Sequence, residues 1–230
     1  VADETVGTAM IACQGPKTLE LAREIANADL ATLKRYHFRV RELGPLSVTT
    51  CRTGYTGEDG IELVLPAMLV APLVPRLLGT PDAPHPQIKP AGLGARDTLR
   101  MEAGMPLYGH ELGEEVDSLT AGQAWCVDLS KDFIGAAAMV KLKSQGLRRK
   151  LVGLELEGRR IARQHYKVFR GEKEVGEITS GTLSPTLGRS IAMGFVRSED
   201  AATGTDLDVE ISGKRVPARV VSLPFYKLSK

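Results

Sequence analysis

Residues 52–65, RTGYTGEDGIELVL, combine side chains that could bind a small molecule with the backbone freedom that such binding needs. Gly54, Gly57 and Gly60 are spaced three apart, and each permits a sharp turn or a close approach to a ligand. From residue 61 onward, an isoleucine and two leucines recur at every second position, which indicates a β-strand with two faces. Glu62 then lies on the opposite face from the isoleucine and leucines, and a carboxylate between apolar neighbours needs a hydrogen-bond partner.

Two roles are open for each of the chemically capable residues in this stretch. Glu62 either pairs with a nearby Arg or Lys as a structural acid, or its carboxylate accepts hydrogen bonds from a ligand. Tyr55 either packs within the turn or places its ring against a ligand. Periodicity alone does not decide between these roles.

A second candidate is an arginine on the helix that the sequence predicts over residues 92–104. Arg96 and Arg100 lie four apart and share a helix face. The guanidinium group of Arg96 could bind a carbonyl or carboxylate oxygen with its rigid fork of donors. Asp97 and Glu102 are poorly placed to pair with Arg96, because neighbours in sequence and residues six apart do not face each other on a helix. Arg100 is the better candidate for a structural ion pair.

Composition and the remaining reactive side chains give no indication of several classes of function. With 230 residues, 43% of them hydrophobic, and a net charge of only +2, the chain can bury a sizeable core, and its overall charge does not indicate binding to nucleic acid or membrane. No cysteine or histidine spacing predicts a metal site, and the three cysteines are expected to be reduced core residues. The residues concerned are His37, His85, His110, His165, Cys13, Cys51 and Cys126.

A cluster of basic residues around position 150 has two possible interpretations. It is either a solvated surface or a docking patch for an acidic partner protein. The cluster consists of Arg148, Arg149, Lys150, Arg159, Arg160 and Arg163.

The elements that must position these side chains fall into two regions, and together they predict an α+β fold. Residues 1–146 mix strands and helices without the regular alternation of a doubly wound sheet. A short strand is predicted there at 125–127 and a loop over the acidic run 111–117. Residues 147–230 contain short alternating runs with Gly and Pro between them, which predict an antiparallel β-barrel or small sandwich. These runs are 151–156, 166–169, 175–179, 191–196, 207–211 and 216–223.

Several of these stretches together resemble the glycine cleavage T-protein family of tetrahydrofolate-dependent aminomethyltransferases. The resemblance rests on TGYTGEDGIEL and GLGARDTLRMEAGMPLYGHE, and it continues through KDFIG, TSGTLSPTLG and IAMGFV. Ordered motifs of this length are much more specific than one short pattern. The resemblance implies two interleaved N-terminal domains, of which residues 1–146 are a folate-binding part, and a barrel-like third domain. It also implies that roughly the first third of a family member is absent here.

The resemblance also implies particular site residues and partners. Glu62, Arg96 and Tyr55 match residues at the family's folate site, and Tyr226 matches a tyrosine there less securely because the tail is shorter. The co-substrate is tetrahydrofolate, and the partner is a lipoylated carrier protein, the H-protein. No catalytic residue is assigned, because the family's catalytic aspartate belongs to the absent segment. The isolated chain is expected to bind folate weakly and to be weakly active or inactive.

Other relatives provide alternatives within the same resemblance. A non-catalytic folate-binding scaffold or assembly factor would carry a KGCYTGQE-like motif, whereas this sequence has TGYTGEDG, which favours the transferase. A relative that moves methyl groups onto folate also stays open. The expected location is the cytoplasm of a bacterium or the mitochondrial matrix of a eukaryote.

Overall fold

The computed structural model describes residues 1–26, 30, 32–85 and 87–227. It contains two compact units, Val1–Arg96 and Asp97–Lys230, and their boundary falls inside the third helix. The division predicted after residue 146 is of a different kind, since it follows the change in strand content, and it stays a prediction. No helix in the described ranges has the length and apolar content that crossing a bilayer requires.

The first unit is built on a four-stranded antiparallel sheet with the order β1-β4-β3-β2. Its strands are β1 (Thr8–Gln14), β2 (Phe38–Leu43), β3 (Leu46–Cys51) and β4 (Gly60–Pro66), and its helices are α1 (Thr18–Ala26) and α2 (Val70–Leu78), with a 3-10 turn at Ala67–Leu69. The predicted alternation in β4 is confirmed, because Ile61 and Leu65 are buried and Leu63 packs against the apolar cluster formed by Leu30, Leu33 and Ile61.

The second unit contains a closed antiparallel barrel in the order β10-β5-β8-β7-β6-β9. Its strands are β5 (Arg149–Leu156), β6 (Lys167–Arg170), β7 (Lys173–Ser184), β8 (Arg189–Arg197), β9 (Asp206–Ile211) and β10 (Lys214–Val221). Alternating residues from all six strands fill its apolar core, as expected for a barrel this small. The α+β prediction is confirmed, and of the two C-terminal architectures it is the barrel that forms.

The remaining α-helices that the structure describes are α3 (Leu93–Glu102) and α4 (Ala136–Gln145). Two sequence predictions in this part of the chain are wrong. The strand predicted at 125–127 is instead a 3-10 turn over Ala124–Cys126, closed by hydrogen bonds from Cys126 N to Gln123 O and from Val127 N to Ala124 O. Three residues are too few to establish a period, and the local turn hydrogen bonds decide their conformation. Cys126 is also exposed, so it is not a core residue.

Candidate functional site

The loop between β3 and β4, residues 52–59, is closed at its base by an ion pair. Arg52 donates from Nε to Asp59 Oδ1 at 3.0 Å and from a terminal nitrogen to Asp59 Oδ2 at 2.5 Å, which is the bidentate geometry that favours arginine. The other terminal nitrogen donates to Leu33 O at 2.7 Å. The hydrogen bond from Arg52 lowers the pKa of Asp59. The 52–59 loop therefore starts and ends at one partly buried, charge-assisted contact.

The glycines of this stretch have two different structural roles. Gly57 has a φ of +83°, a backbone conformation that residues with side chains rarely adopt. Gly54 and Gly60 instead leave space for a neighbour, because a Cβ atom at either position would lie within 2.1 Å of Gln14 Oε1. The sequence predicted both uses for glycine here, a sharp turn and a close approach, but it did not identify Gln14 as the neighbour.

Tyr55 and Arg96 are brought together, although 41 positions separate them in the sequence. The Arg96 guanidinium carbon lies 4.3 Å from the centroid of the Tyr55 ring, within the range of a cation–π interaction. Arg96 is exposed, and within the part of the chain that the structure describes its guanidinium group makes no hydrogen bond or ion pair. Asp97 pairs with Arg100 instead, so the structure excludes Asp97 as the partner that would hold Arg96.

Glu62 lies on β4 and is oriented by the loop that precedes it. Thr53 donates its hydroxyl hydrogen to Glu62 Oε2 at 2.5 Å, while no described residue donates to Oε1. The side chain is half-buried, so that oxygen can accept a further hydrogen bond. Burial, with a smaller contribution from the Glu62 charge, raises the pKa of Cys51, which is paired with Glu62 across β3 and β4. The sequence left open a structural ion pair between Glu62 and a nearby Arg or Lys. Among the described residues, no basic side chain forms such a pair with Glu62.

Tyr226 lies in the second compact unit. Its backbone N–H donates to Glu102 O at 2.8 Å, and the residue is half-buried. The assignment of Tyr226 to the same site as the three residues of the first unit stays a prediction.

The second unit contains charged side chains that are fully enclosed. Arg100, 1% exposed, donates to Glu111 Oε2 at 3.0 Å, to Ser180 Oγ at 2.8 Å and to Asp97 Oδ1 at 2.8 Å. Glu111 is completely buried and also accepts hydrogen bonds from Leu107 N and from the Thr179 hydroxyl. The prediction that Arg100 forms a structural pair is confirmed. The predicted loop over 111–117 forms as well, but the burial of Glu111 within it was not foreseen.

A bulge in β7 explains how two successive residues reach this cluster. The register against β8 shifts between Ile178 and Ser180, so that Thr179 is the extra residue. Side chains of successive strand residues normally point to opposite faces, and a bulge re-aims them. Thr179 and Ser180 are both buried, and they contact Glu111 and Arg100 respectively.

The remaining polar candidates do not assemble into a catalytic or metal centre. His110 Nδ1 contacts Thr179 O at 2.9 Å, and His165 Nδ1 lies 4.0 Å from Glu177. Within the described ranges no group of three or more His, Cys, Asp or Glu residues could hold a metal ion. The six basic residues around position 150 are all exposed, so both interpretations of that cluster remain open.

Comparison with known proteins adds independent information. A family model described as the GCVT N-terminal domain matches residues 1–131, and a second, described as the glycine cleavage T-protein C-terminal barrel domain, matches residues 149–227. A protein named aminomethyltransferase from Synechococcus elongatus is 45% identical over 224 residues, which is 96% of this chain and 59% of that protein. One of the same name from Thermotoga neapolitana is 46% identical over 227 residues, 99% of this chain and 61% of that protein.

A solved structure shows the same fold. The crystal structure of glycine cleavage system aminomethyltransferase T from Bartonella henselae superimposes with a TM-score of 0.88 at 30% identity, over 96% of this chain and 60% of that one. The chain thus spans about 60% of the length of the relatives it matches. Because one family model covers more than half of the chain and a second covers the barrel, the chain belongs to the glycine cleavage T-protein family.

Proposed function

We propose that this chain provides the folate-binding part of a tetrahydrofolate-dependent aminomethyltransferase of the glycine cleavage system. The single observation that carries the proposal is the arrangement around the 52–59 loop. Tyr55 stacks with Arg96 there, and Glu62, three positions beyond the last residue of the loop, has an oxygen to which no described residue donates. The family membership supplies the reaction class, and the whole protein's activity is part of the proposal because the chain spans about 60% of its relatives.

The residues match the chemistry of a reduced folate. A pterin ring carries a ring N–H and an amino group side by side, and one carboxylate accepts hydrogen bonds from both. Glu62 is the proposed acceptor, already held by Thr53. Arg96 would direct its fork of donors toward a carbonyl or carboxylate oxygen of the folate, and Tyr55 would present its ring to the ligand. Tyr226 is the fourth proposed contact.

In the proposed reaction, a folate nitrogen attacks the aminomethyl carbon carried on the lipoyl arm of the H-protein. Two C–N bonds to the folate form, while the C–N bond to the amino group and the C–S bond to the lipoyl arm break. The two folate N–H protons go to the leaving groups, so ammonia and the dihydrolipoyl thiol are released and methylene-tetrahydrofolate forms. These residues of the chain would contribute orientation of the folate, and orientation lowers the barrier by placing the nucleophilic nitrogen before the reaction starts. The exposed basic cluster around position 150 is a candidate contact for the carrier protein if that protein is acidic. No residue of this chain is proposed as the general base.

The transferase is favoured over the folate-binding scaffold. The loop carries TGYTGEDG and has no cysteine, and the relatives described above are named aminomethyltransferase. The relatives are bacterial, which is consistent with the bacterial alternative for the location of the protein.

Calorimetric titration of tetrahydrofolate into the chain tests the proposal. Glu62→Gln keeps the shape of the side chain but removes the charge, and we expect roughly tenfold to hundredfold weaker binding because one charge-assisted hydrogen bond contributes about 1.5–3 kcal/mol. Glu42→Gln is the matched control, since Glu42 is an exposed acid on β2 of the same sheet. Equal dissociation constants for the wild type and Glu62→Gln would overturn the site, whereas an unchanged value for Glu42→Gln supports it.

A further inference from the structure

Gln14 is the last residue of β1, and its side chain reaches both ends of the 52–59 loop. In the antiparallel register, Gln14 lies opposite Gly60, the first residue of β4. Its Nε2 donates to Thr53 O at 3.1 Å and to Ile61 O at 3.2 Å. One carboxamide therefore binds two backbone carbonyls, one near the start of the loop and one just after its end. Among the described residues, none donates to its buried Oε1.

The local backbone is shaped around this carboxamide. A Cβ atom at Gly54 would lie 1.8 Å from Gln14 Oε1, and one at Gly60 would lie 2.1 Å from it. Neither glycine has a positive φ, so their conformations do not demand glycine. The space that the two missing side chains leave is occupied by Gln14. The glycines at 54 and 60 are thus explained by the same side chain.

The contacts of Gln14 connect directly to the candidate binding residues. Thr53, whose carbonyl oxygen Gln14 holds, donates its hydroxyl hydrogen to Glu62. Ile61, whose carbonyl oxygen Gln14 also holds, precedes Glu62 in β4. Tyr55 lies two residues after Thr53 and stacks with Arg96. A side chain that fixes the backbone at Thr53 and Ile61 limits the positions open to both the Glu62 carboxylate and the Tyr55 ring.

We propose that Gln14 is a positioning residue for ligand binding at this loop, a role that rests on the proposed function. It holds Glu62 and Tyr55 in their binding arrangement before the ligand arrives. Preorganisation of this kind strengthens binding, because the ordering cost is met during folding and not on association. Gln14 acts through Thr53 and Ile61 and does not itself contact the ligand.

The first test is Gln14→Met, which keeps an unbranched side chain of similar length but removes the donor. We expect its dissociation constant for tetrahydrofolate to rise about fivefold to tenfold, measured by calorimetry well below the unfolding midpoint. Gln164→Met is the matched control, because Gln164 also donates to a backbone carbonyl, that of Gly109 at 3.0 Å, but lies in the barrel unit. A purely structural role would lower the unfolding midpoint of Gln14→Met and leave the dissociation constant unchanged, and that result would overturn the proposal.

A double-mutant cycle with Gly60→Ala provides a second test. The added Cβ displaces the Gln14 carboxamide, so Gly60→Ala should weaken binding about as much as Gln14→Met does. In the background of Gln14→Ala, where the space is empty, Gly60→Ala should add less than a twofold further loss. Such non-additivity supports a shared mechanism, whereas additive losses would overturn it.

A measurement without ligand separates failure of this inference from failure of the proposed function. Protein labelled with 3-fluorotyrosine gives a ¹⁹F resonance for each tyrosine, and Tyr55→Phe assigns the one from the loop. We expect that resonance to shift or broaden in Gln14→Met and to stay unchanged in Gln164→Met. If the wild type does not bind tetrahydrofolate, the proposed function fails, and the ¹⁹F spectrum alone decides on Gln14: an unchanged Tyr55 resonance overturns its positioning role.

Discussion

Each compact unit contains an arginine and a glutamate of interest, but the two sets differ in burial and in hydrogen bonding. In the barrel unit, Arg100 and Glu111 are enclosed, and each makes several hydrogen bonds. In the sheet unit, Arg96 is exposed over a tyrosine ring, and Glu62 is half-buried with one oxygen to which no described residue donates. Arg96 and Arg100 are only four residues apart on α3, so residue type and helix position cannot explain the difference.

The difference indicates which charged side chains stabilise the fold and which can still bind a ligand. A buried ion has lost its hydration, so it must be paired and hydrogen-bonded, and such a group has little capacity left for a ligand. A half-exposed group keeps water as a partner that a ligand can replace. We therefore expect substitutions in the Arg100 cluster to change stability and those around the 52–59 loop to change binding.

The largest expected effect is on stability, in the variant Glu111→Gln. It removes the negative charge that faces Arg100 and leaves that guanidinium group buried with incomplete compensation. We expect a loss of about 3 kcal/mol or more in the free energy of unfolding, measured by urea denaturation. The control is Asp206→Asn, which breaks an exposed ion pair with Arg219 and should leave the urea midpoint unchanged. Equal urea midpoints for the wild type, Glu111→Gln and Asp206→Asn would contradict the claim that the buried charges of the barrel unit stabilise the fold.

An intermediate effect, with a defined pH dependence, is expected for Asp59→Asn. The pKa of Asp59 is lowered in the folded protein because Arg52 hydrogen-bonds to its charged form. The ion pair therefore stabilises the fold fully above the ordinary aspartate pKa of about 4, and this stability is lost as the pH falls through the lower folded pKa.

For Asp59→Asn we expect a loss of about 1–2 kcal/mol at pH 7 that shrinks toward zero below about pH 4. Urea denaturation of both proteins between pH 7 and pH 3 measures it. The exposed acid variant Glu42→Gln should show no such convergence. A difference between Asp59→Asn and the wild type that stays constant down to pH 3 would contradict this account of the loop base.

The smallest effect on stability is expected for Arg96→Gln. The substitution removes one exposed cation–π contact with Tyr55, which contributes about 0.5–1 kcal/mol at most. Its unfolding midpoint should therefore lie close to that of the wild type, while tetrahydrofolate binding weakens severalfold. Thermal unfolding and calorimetric titration of the same preparation provide both numbers. A large stability loss with unchanged binding would place Arg96 with Arg100 as a structural residue and would end the comparison.

Local sequence patterns were sufficient where a structure depends on neighbours along the chain. The alternation of apolar residues predicted all six barrel strands and the strand that carries Glu62, because a period of two sets which face each side chain takes. The same method was wrong at Trp125, where three residues carry no period and turn hydrogen bonds decide. Glu111 was placed in a loop correctly, but its burial depends on Thr179, 68 positions away.

The sequence by itself therefore determined the six barrel strands, the strand of Glu62, the helix of Arg96, the glycine-rich loop and the family resemblance, because these depend on spacing within a few residues or on ordered motifs. Only the tertiary structure decided which charges are enclosed and which stay available, and that Gln14 occupies the space beside Gly54 and Gly60. The physical reason is that burial and hydrogen-bond partners belong to pairs of residues that are distant in sequence. A local pattern contains no information about such pairs.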